Sequence, residues 1–220
     1  MVRNHHSLLL LPAMGCDGQL WSRQVTALGQ ELDDIDVGDL TQDDTIAAMA
    51  TRMLDSVGPR VAVAGVSLGG YVAMEMVRQA PDRVTQVAFF GTRASMTARP
   101  RTVREQGMLA IAPHADPTLT PIIAGPVQAM AERVGATVFE RQQRALLARP
   151  DISEAIGAIR VPALVAVGDR DRVCSVADAR ALHDRVPGSR FHVLSACGHL
   201  PPMERPGEVT ALLRGWLGLH

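Results

Sequence analysis

The chain alternates between short apolar runs and longer segments in which apolar and polar positions recur with a helical spacing. Six runs stand out: Ser7 to Leu11, Ile35 to Val37, Arg60 to Val66, Val84 to Phe90, Pro162 to Val167 and Arg190 to Leu194. Several are apolar at successive rather than alternate positions, the pattern of strands buried on both faces of a parallel sheet. The intervening segments predict helices with recognisable ends. Thr41 precedes Asp44 by three positions in TQDDTIAAMATRML, which predicts a variant capping box, and Gly58-Pro59 stops that helix. Ser175 is placed to cap SVADARALHDRV, Pro187-Gly188 to end it, and Gly218 to end EVTALLRGWL. Strand and helix in alternation predict an α/β fold whose parallel strands are joined by right-handed crossovers.

One segment breaks the rhythm. From about Arg93 to Pro150 the chain is much longer than a single crossover helix needs. Its pieces TVREQGMLAIA, LTPIIAGPVQAMAERV and ATVFERQQRALLA are helical in pattern and punctuated by Pro113, Pro117, Pro121 and Pro126. Helices inserted over the C-terminal edge of an open sheet cover the place where such sheets bind ligands. The expectation is one domain over 1–220 with a small helical cap at about 93–150; a longer stretch of ordinary framework is the alternative.

Composition narrows the function. With 220 residues and 47% hydrophobic content, the chain suffices for one domain with a two-sided core. A formal net charge of −1 supplies no basic face, so no nucleic-acid partner is expected. No apolar run approaches the roughly 18 residues of a membrane span, and Leu8 to Leu11 is followed by no cleavage-type sequence. A cytoplasmic protein without a membrane partner is expected. Cys16, Cys174 and Cys197 are odd in number and widely spaced, which suits neither a disulfide framework nor a Cys-x-x-Cys zinc site. All 22 basic residues are arginine, and the lack of lysine excludes Schiff-base chemistry, pyridoxal phosphate attachment and a P-loop lysine.

The candidate chemistry lies in VAVAGVSLGGYVAMEMV. Gly65-Val66-Ser67-Leu68-Gly69 fits G-x-S-x-G where a buried strand runs into a helix. So sharp a turn strains the central serine and leaves no room for side chains two residues before and after it. The helix start also aims free amides and a positive dipole end at the same spot. A serine hydroxyl is a poor nucleophile alone and needs a histidine base and an acid that orients it. Of seven histidines, His5, His6 and His220 sit at the termini, His114 in the insertion, His183 on an amphipathic helix and His192 in the last strand. His199, in SACGHLPPMERP, follows the last strand on a Gly- and Pro-bounded loop and is the candidate base. VALVAVGDRDRVCS offers two acids after the preceding strand, Asp169 and Asp171, one of which can serve while the other braces the turn.

Serine, acid and histidine in that chain order are the order found with the nucleophile elbow. Here the sequence resembles the α/β-hydrolase superfamily over nearly its whole length, most closely the small-cap esterase, lactonase and C–C hydrolase branch. LLLLPAMGCDGQLW is similar to the first strand and oxyanion loop, AGVSLGG to the elbow, VGDRD to the acid turn and CGHLPPMERPGEV to the histidine loop. The resemblance implies Ser67 as nucleophile, His199 as base and Asp171 as acid, three residues after Gly168, with the backbone amides of Met14 and Leu68 as oxyanion hole. Only six residues precede Ser7, so the family's leading antiparallel hairpin is expected to be missing, leaving a mostly or wholly parallel sheet of about six strands with Ser7 to Leu11 at or next to its edge. The chain departs from the family where Pro12-Ala13 replace the usual His-Gly and where Ser175 replaces a common proline.

The implied activity is hydrolysis of a small carboxylic ester or lactone through an acyl-enzyme, with no metal or organic cofactor and a small ester-like molecule as partner. Alternatives on the same fold and triad are cleavage of a C–C bond or thioester, or perhydrolysis; a third is a non-catalytic ligand-binding homologue. Met, Ala, Leu and Ile around the expected pocket suggest an aliphatic substrate, and Arg93, Arg99, Arg101 and Arg104 a substrate carboxylate or an acidic carrier protein, against the simpler readings of packing and a solvated face. Trp21 is expected beneath the oxyanion loop. The three cysteines fall on the oxyanion, acid and histidine loops; small buried hydrophobes are the default reading, and inhibition by bulky thiol reagents is the sharper expectation.

Overall fold

The computed structural model describes residues 7–32, 34–94, 120–149 and 156–219. Six strands, β1 (Ser7–Leu11), β2 (Asp34–Val37), β3 (Val61–Val66), β4 (Val84–Phe90), β5 (Ala163–Gly168) and β6 (Arg190–Leu194), form one sheet in the order β2-β1-β3-β4-β5-β6. Every neighbouring pair is parallel. β1 lies second from the edge, with the four-residue β2 outside it.

The apolar runs become strands because both sheet faces are covered. In β3 and β5 every residue is buried, and alternate side chains enter opposite cores. Leu9, Leu11, Val63, Phe89, Val165 and Val167 pack on one face against α2 (Ile46–Ser56), α3 (Leu68–Gln79) and α6 (Val176–His183). Leu8, Leu10, Ala64, Phe90 and Ala166 pack on the other against α1 (Ser22–Leu28) and α8 (Pro206–Leu217). A short helix α7, Pro201–Glu204, precedes α8.

Two of the expected helix ends form and one does not. Ser175 and Asp178 form a reciprocal capping box at the start of α6, and Gly218 ends α8 with a left-handed φ of 72°. Thr41 does not cap α2; Thr45 does, its hydroxyl accepting from the Ala48 amide. Thr41 and Gln42 instead turn around Asp39, which accepts from the Thr41 amide at 2.9 Å, so the helix waits until the apolar period opens at Ile46.

Between β4 and β5 run α4 (Thr120–Val134) and α5 (Ala136–Ala148). The expected helix TVREQGMLAIA, Arg99, Arg101, Arg104 and His114 lie outside the described residues. Ile123, Val127 and Met130 of α4 join the core that contains Ala13, Cys16 and Leu20. Among the described residues no helix is long and apolar enough to cross a membrane.

Candidate active site

Strand order reverses between β1 and β3, because the chain leaves β1 for the edge strand β2 and then returns to the other side of β1. Open α/β sheets bind ligands outside the carboxyl ends of strands at such a switch point. The loop after β1 carries Met14, and the turn after β3 carries Ser67.

Ser67 holds φ 52° and ψ −107°, a strained conformation for any residue with a side chain. The turn that imposes it is closed by backbone contact. A Cβ at Gly65 would lie 2.2 Å from the Gly69 carbonyl carbon, and one at Gly69 would lie 2.3 Å from Leu11 O. Neither site admits a methyl group, which is the physical reason for the glycine spacing in G-x-S-x-G. Leu68 opens α3 directly after the serine.

Asp171 and His199 meet at the same edge from the ends of β5 and β6. His199 Nδ1 is 2.8 Å from Asp171 Oδ2, and both residues are buried. The other Asp171 oxygen, Oδ1, accepts from the amides of Val173 (2.7 Å) and Cys174 (2.8 Å), which fixes the carboxylate plane. Asp169 does something else: its Oδ1 accepts from the Cys197 amide at 3.1 Å and ties the acid turn to the histidine loop.

Gly91 connects this pair to the serine. The Ser67 amide donates to Phe90 O at 2.9 Å, and at Gly91, the next residue, a Cβ would sit 3.1 Å from Asp171 Oδ2 and 3.2 Å from His199 Nδ1. Elbow and acid–imidazole pair thus flank one residue at the end of β4.

The loop after β1 is a tight turn. The Cys16 amide donates to Ala13 O at 3.1 Å, and Gly15 carries φ 70°. Beneath it, fully buried Trp21 donates its indole N–H to Leu11 O at 3.1 Å. Among the described residues no acceptor takes the amide of Met14 or of Leu68. Two unclaimed N–H groups therefore lie on the loops either side of the switch point.

Two residues at this edge carry no motif in the sequence. Glu204, buried, accepts from the amides of Gly198 (2.6 Å) and Leu200 (2.8 Å) and so clamps the backbone on both sides of His199. An acid between prolines a few residues after the histidine was the one available signal. Gln142 of α5 accepts from the Gly15 amide at 2.9 Å, and nothing in the sequence pairs it with that loop.

Burial favours the packing reading of the three thiols over reagent sensitivity. Cys16, Cys174 and Cys197 do sit on the three loops, but all are buried. Burial, reinforced by Asp17, pushes the Cys16 thiol up to about 12, and burial with Glu204 pushes Cys197 up as well. The shifts of Cys16 and Cys197 favour the protonated thiol, and burial keeps all three sulfurs from bulky reagents. Among the described residues no cluster of three or more His, Cys, Asp or Glu side chains is placed to hold a metal.

A strained serine at a strand-to-helix turn, on a parallel sheet with a buried carboxylate–imidazole pair at the same edge, defines the class of α/β hydrolases. The alpha/beta hydrolase family matches residues 5–212, and the chain belongs to it. Among characterised relatives it is similar to the pimeloyl-[acyl-carrier protein] methyl ester esterase of Aromatoleum aromaticum, 24% identical with 96% of this chain and 97% of that protein covered. It is also similar to 3-oxoadipate enol-lactonase 2 of Acinetobacter baylyi, 28% identical over 67% of this chain and 60% of that one. Its fold superposes on the enol-lactonase of Burkholderia xenovorans LB400 with a TM-score of 0.79 at 23% identity, covering 99% and 94% of the two chains.

Proposed function

We propose that this hydrolase cleaves a small carboxylic ester or lactone through an acyl-enzyme on Ser67. The observation that carries the reading is the 2.8 Å pairing of His199 Nδ1 with Asp171 Oδ2, at the edge where Ser67 is held in its strained turn. Asp171 keeps the proton on Nδ1 and stabilises the imidazolium, which leaves Nε2 to take the Ser67 proton as the hydroxyl attacks the carbonyl. The amides of Leu68 and Met14 receive the developing oxyanion. His199 then protonates the leaving alcohol, and water repeats the sequence on the acyl-enzyme. Helices α4 and α5 form part of a cap over this edge. Ester- and lactone-cleaving relatives support the substrate class.

The test is intact mass after treatment with a small fluorophosphonate. Wild type gains one adduct, Ser67→Ala gains none, and ester turnover falls by about 10⁵–10⁶ in the variant. A folded wild type that takes no adduct defeats the reading.

A further inference from the structure

Three polar side chains of α4 and α5 reach the loops after β1 and β2. Arg133 Nε on α4 lies 2.7 Å from Asp17 Oδ2, an ion pair open to water and correspondingly weak. Arg141 on α5 donates from Nη2 to Thr41 O. Gln142 is of another kind. It is fully buried, and its amide is engaged at both ends: Oε1 accepts from the Gly15 amide at 2.9 Å, and Nε2 donates to Leu40 O at 3.0 Å.

A buried primary amide loses its water on every side, so only well-placed partners make its position favourable. Here the partners are backbone groups of two loops, and one is the amide next to Met14. The turn from Ala13 to Cys16 is closed by Cys16 N–H to Ala13 O, which leaves the amides of its two central residues for other partners. Gln142 takes that of Gly15. The turn bond fixes the carbonyl of the Ala13–Met14 peptide, the unit that carries the Met14 N–H, and Gln142 fixes the Met14–Gly15 peptide that follows it, so the Met14 amide has little freedom left. This support matters in a chain with Pro12-Ala13 where the resembled family has His-Gly.

We propose that Gln142 is a positioning residue that aims the Met14 amide as the second oxyanion donor, so that the inserted helix α5 is a working part of the oxyanion hole. The inference rests on the acyl-enzyme reading of Ser67.

The experiment compares wild type with Gln142→Met, which keeps the volume and removes both hydrogen bonds, on a short-chain p-nitrophenyl ester and a trifluoromethyl ketone inhibitor. The expected result is a kcat lower by roughly 10- to 100-fold with KM within about threefold, a fraction of the loss on deleting a donor outright. The ketone's inhibition constant rises by the factor by which kcat/KM falls, a parallel that loosened packing does not produce. Arg133→Ala, which cuts the exposed tie of the neighbouring helix α4, keeps kcat within about twofold. A folded Gln142→Met with wild-type kcat, or with a change confined to KM, overturns the proposal. Should that variant not fold, amide hydrogen exchange on wild type decides: the Gly15 amide is protected without ligand and that of Met14 only with the ketone bound, and the reverse order overturns it. Fluorophosphonate labelling separates the two claims. No adduct on wild type removes the Ser67 reading and this role together, whereas labelling with unchanged kcat in Gln142→Met removes the role alone.

Discussion

Asp169 and Asp171 are two residues apart, both follow β5, and both accept backbone amides, yet they are not equivalent. Asp171 spends Oδ1 on Val173 and Cys174 and presents Oδ2 to His199, whereas Asp169 reaches Cys197 and no ring nitrogen. Asp171→Asn keeps an acceptor for the two amides, so the fold survives, but puts an NH2 group against Nδ1 and forces the other tautomer. Turnover is expected to fall by about 10⁴ with little change in melting temperature. Asp169→Asn keeps an acceptor for the Cys197 amide and is expected to stay within about threefold of wild type. Equal losses in the two variants, measured as kcat on one ester, would contradict the assignment of the acid. Residue spacing alone left both acids open, because the choice depends on which oxygen a turn consumes. The placement of Ser67 in its turn and of His199 beside Asp171 was legible because each is marked by its immediate neighbours, glycines in one case and Gly and Pro in the other. Gln142 was not, since its partners lie 127 and 102 residues away.

The inner strands were legible almost to the residue because burial on both faces leaves a plain apolar signature; β1 and β4 begin and end where the pattern changes, and the partly exposed edge strand β6 keeps its expected bounds as well. Helix starts were less so. Thr41-x-x-Asp44 has the right spacing for a box, but Asp39 captures Thr41 first, and only Thr45 stands directly before the apolar stripe of α2. The elbow shows how tightly one element constrains another. Beyond the two glycines of the pentapeptide, a Cβ at Gly70 would fall 2.0 Å from Thr92 Oγ1, where the buried Thr92 side chain donates to Phe90 O at 3.1 Å. Gly70→Ala is therefore expected to destabilise by about 2–4 kcal/mol through overpacking. Thr92→Ala removes the obstructing hydroxyl and methyl, so the double variant should recover a good part of that loss. Strict additivity of the two changes in a denaturant titration would mean that α3 and the loop after β4 do not press on each other.

For the molecule as a whole, the three loops that build the site are also where its free thiols are buried, and this sets how the fold responds to alkali. Burial raises Cys16 from 9.0 to about 12 and raises Cys197 in the same direction. A raised thiol pKa means that the folded state prefers the proton. Below pH 9 folded and unfolded chains both keep it, and the contribution to stability is fully present. As pH climbs past 9 the unfolded chain releases the proton first, and stability drains by up to about 1.4 kcal/mol per pH unit for each such thiol until the folded group also titrates. Urea midpoints should therefore decline between pH 8 and pH 10. In Cys16→Ser, whose hydroxyl does not titrate there, the decline should be smaller by about 1 kcal/mol at pH 10, whatever the substitution costs at pH 8. Identical slopes for the two proteins would show that the Cys16 thiol is not buried away from base. Because the same burial shields the thiols from reagents, alkylation of the native protein at pH 8 should be slow and should leave ester turnover intact, and labelling should appear at the rate of unfolding. Inhibition by a bulky reagent on a faster timescale would mean that the oxyanion, acid or histidine loop opens without global unfolding.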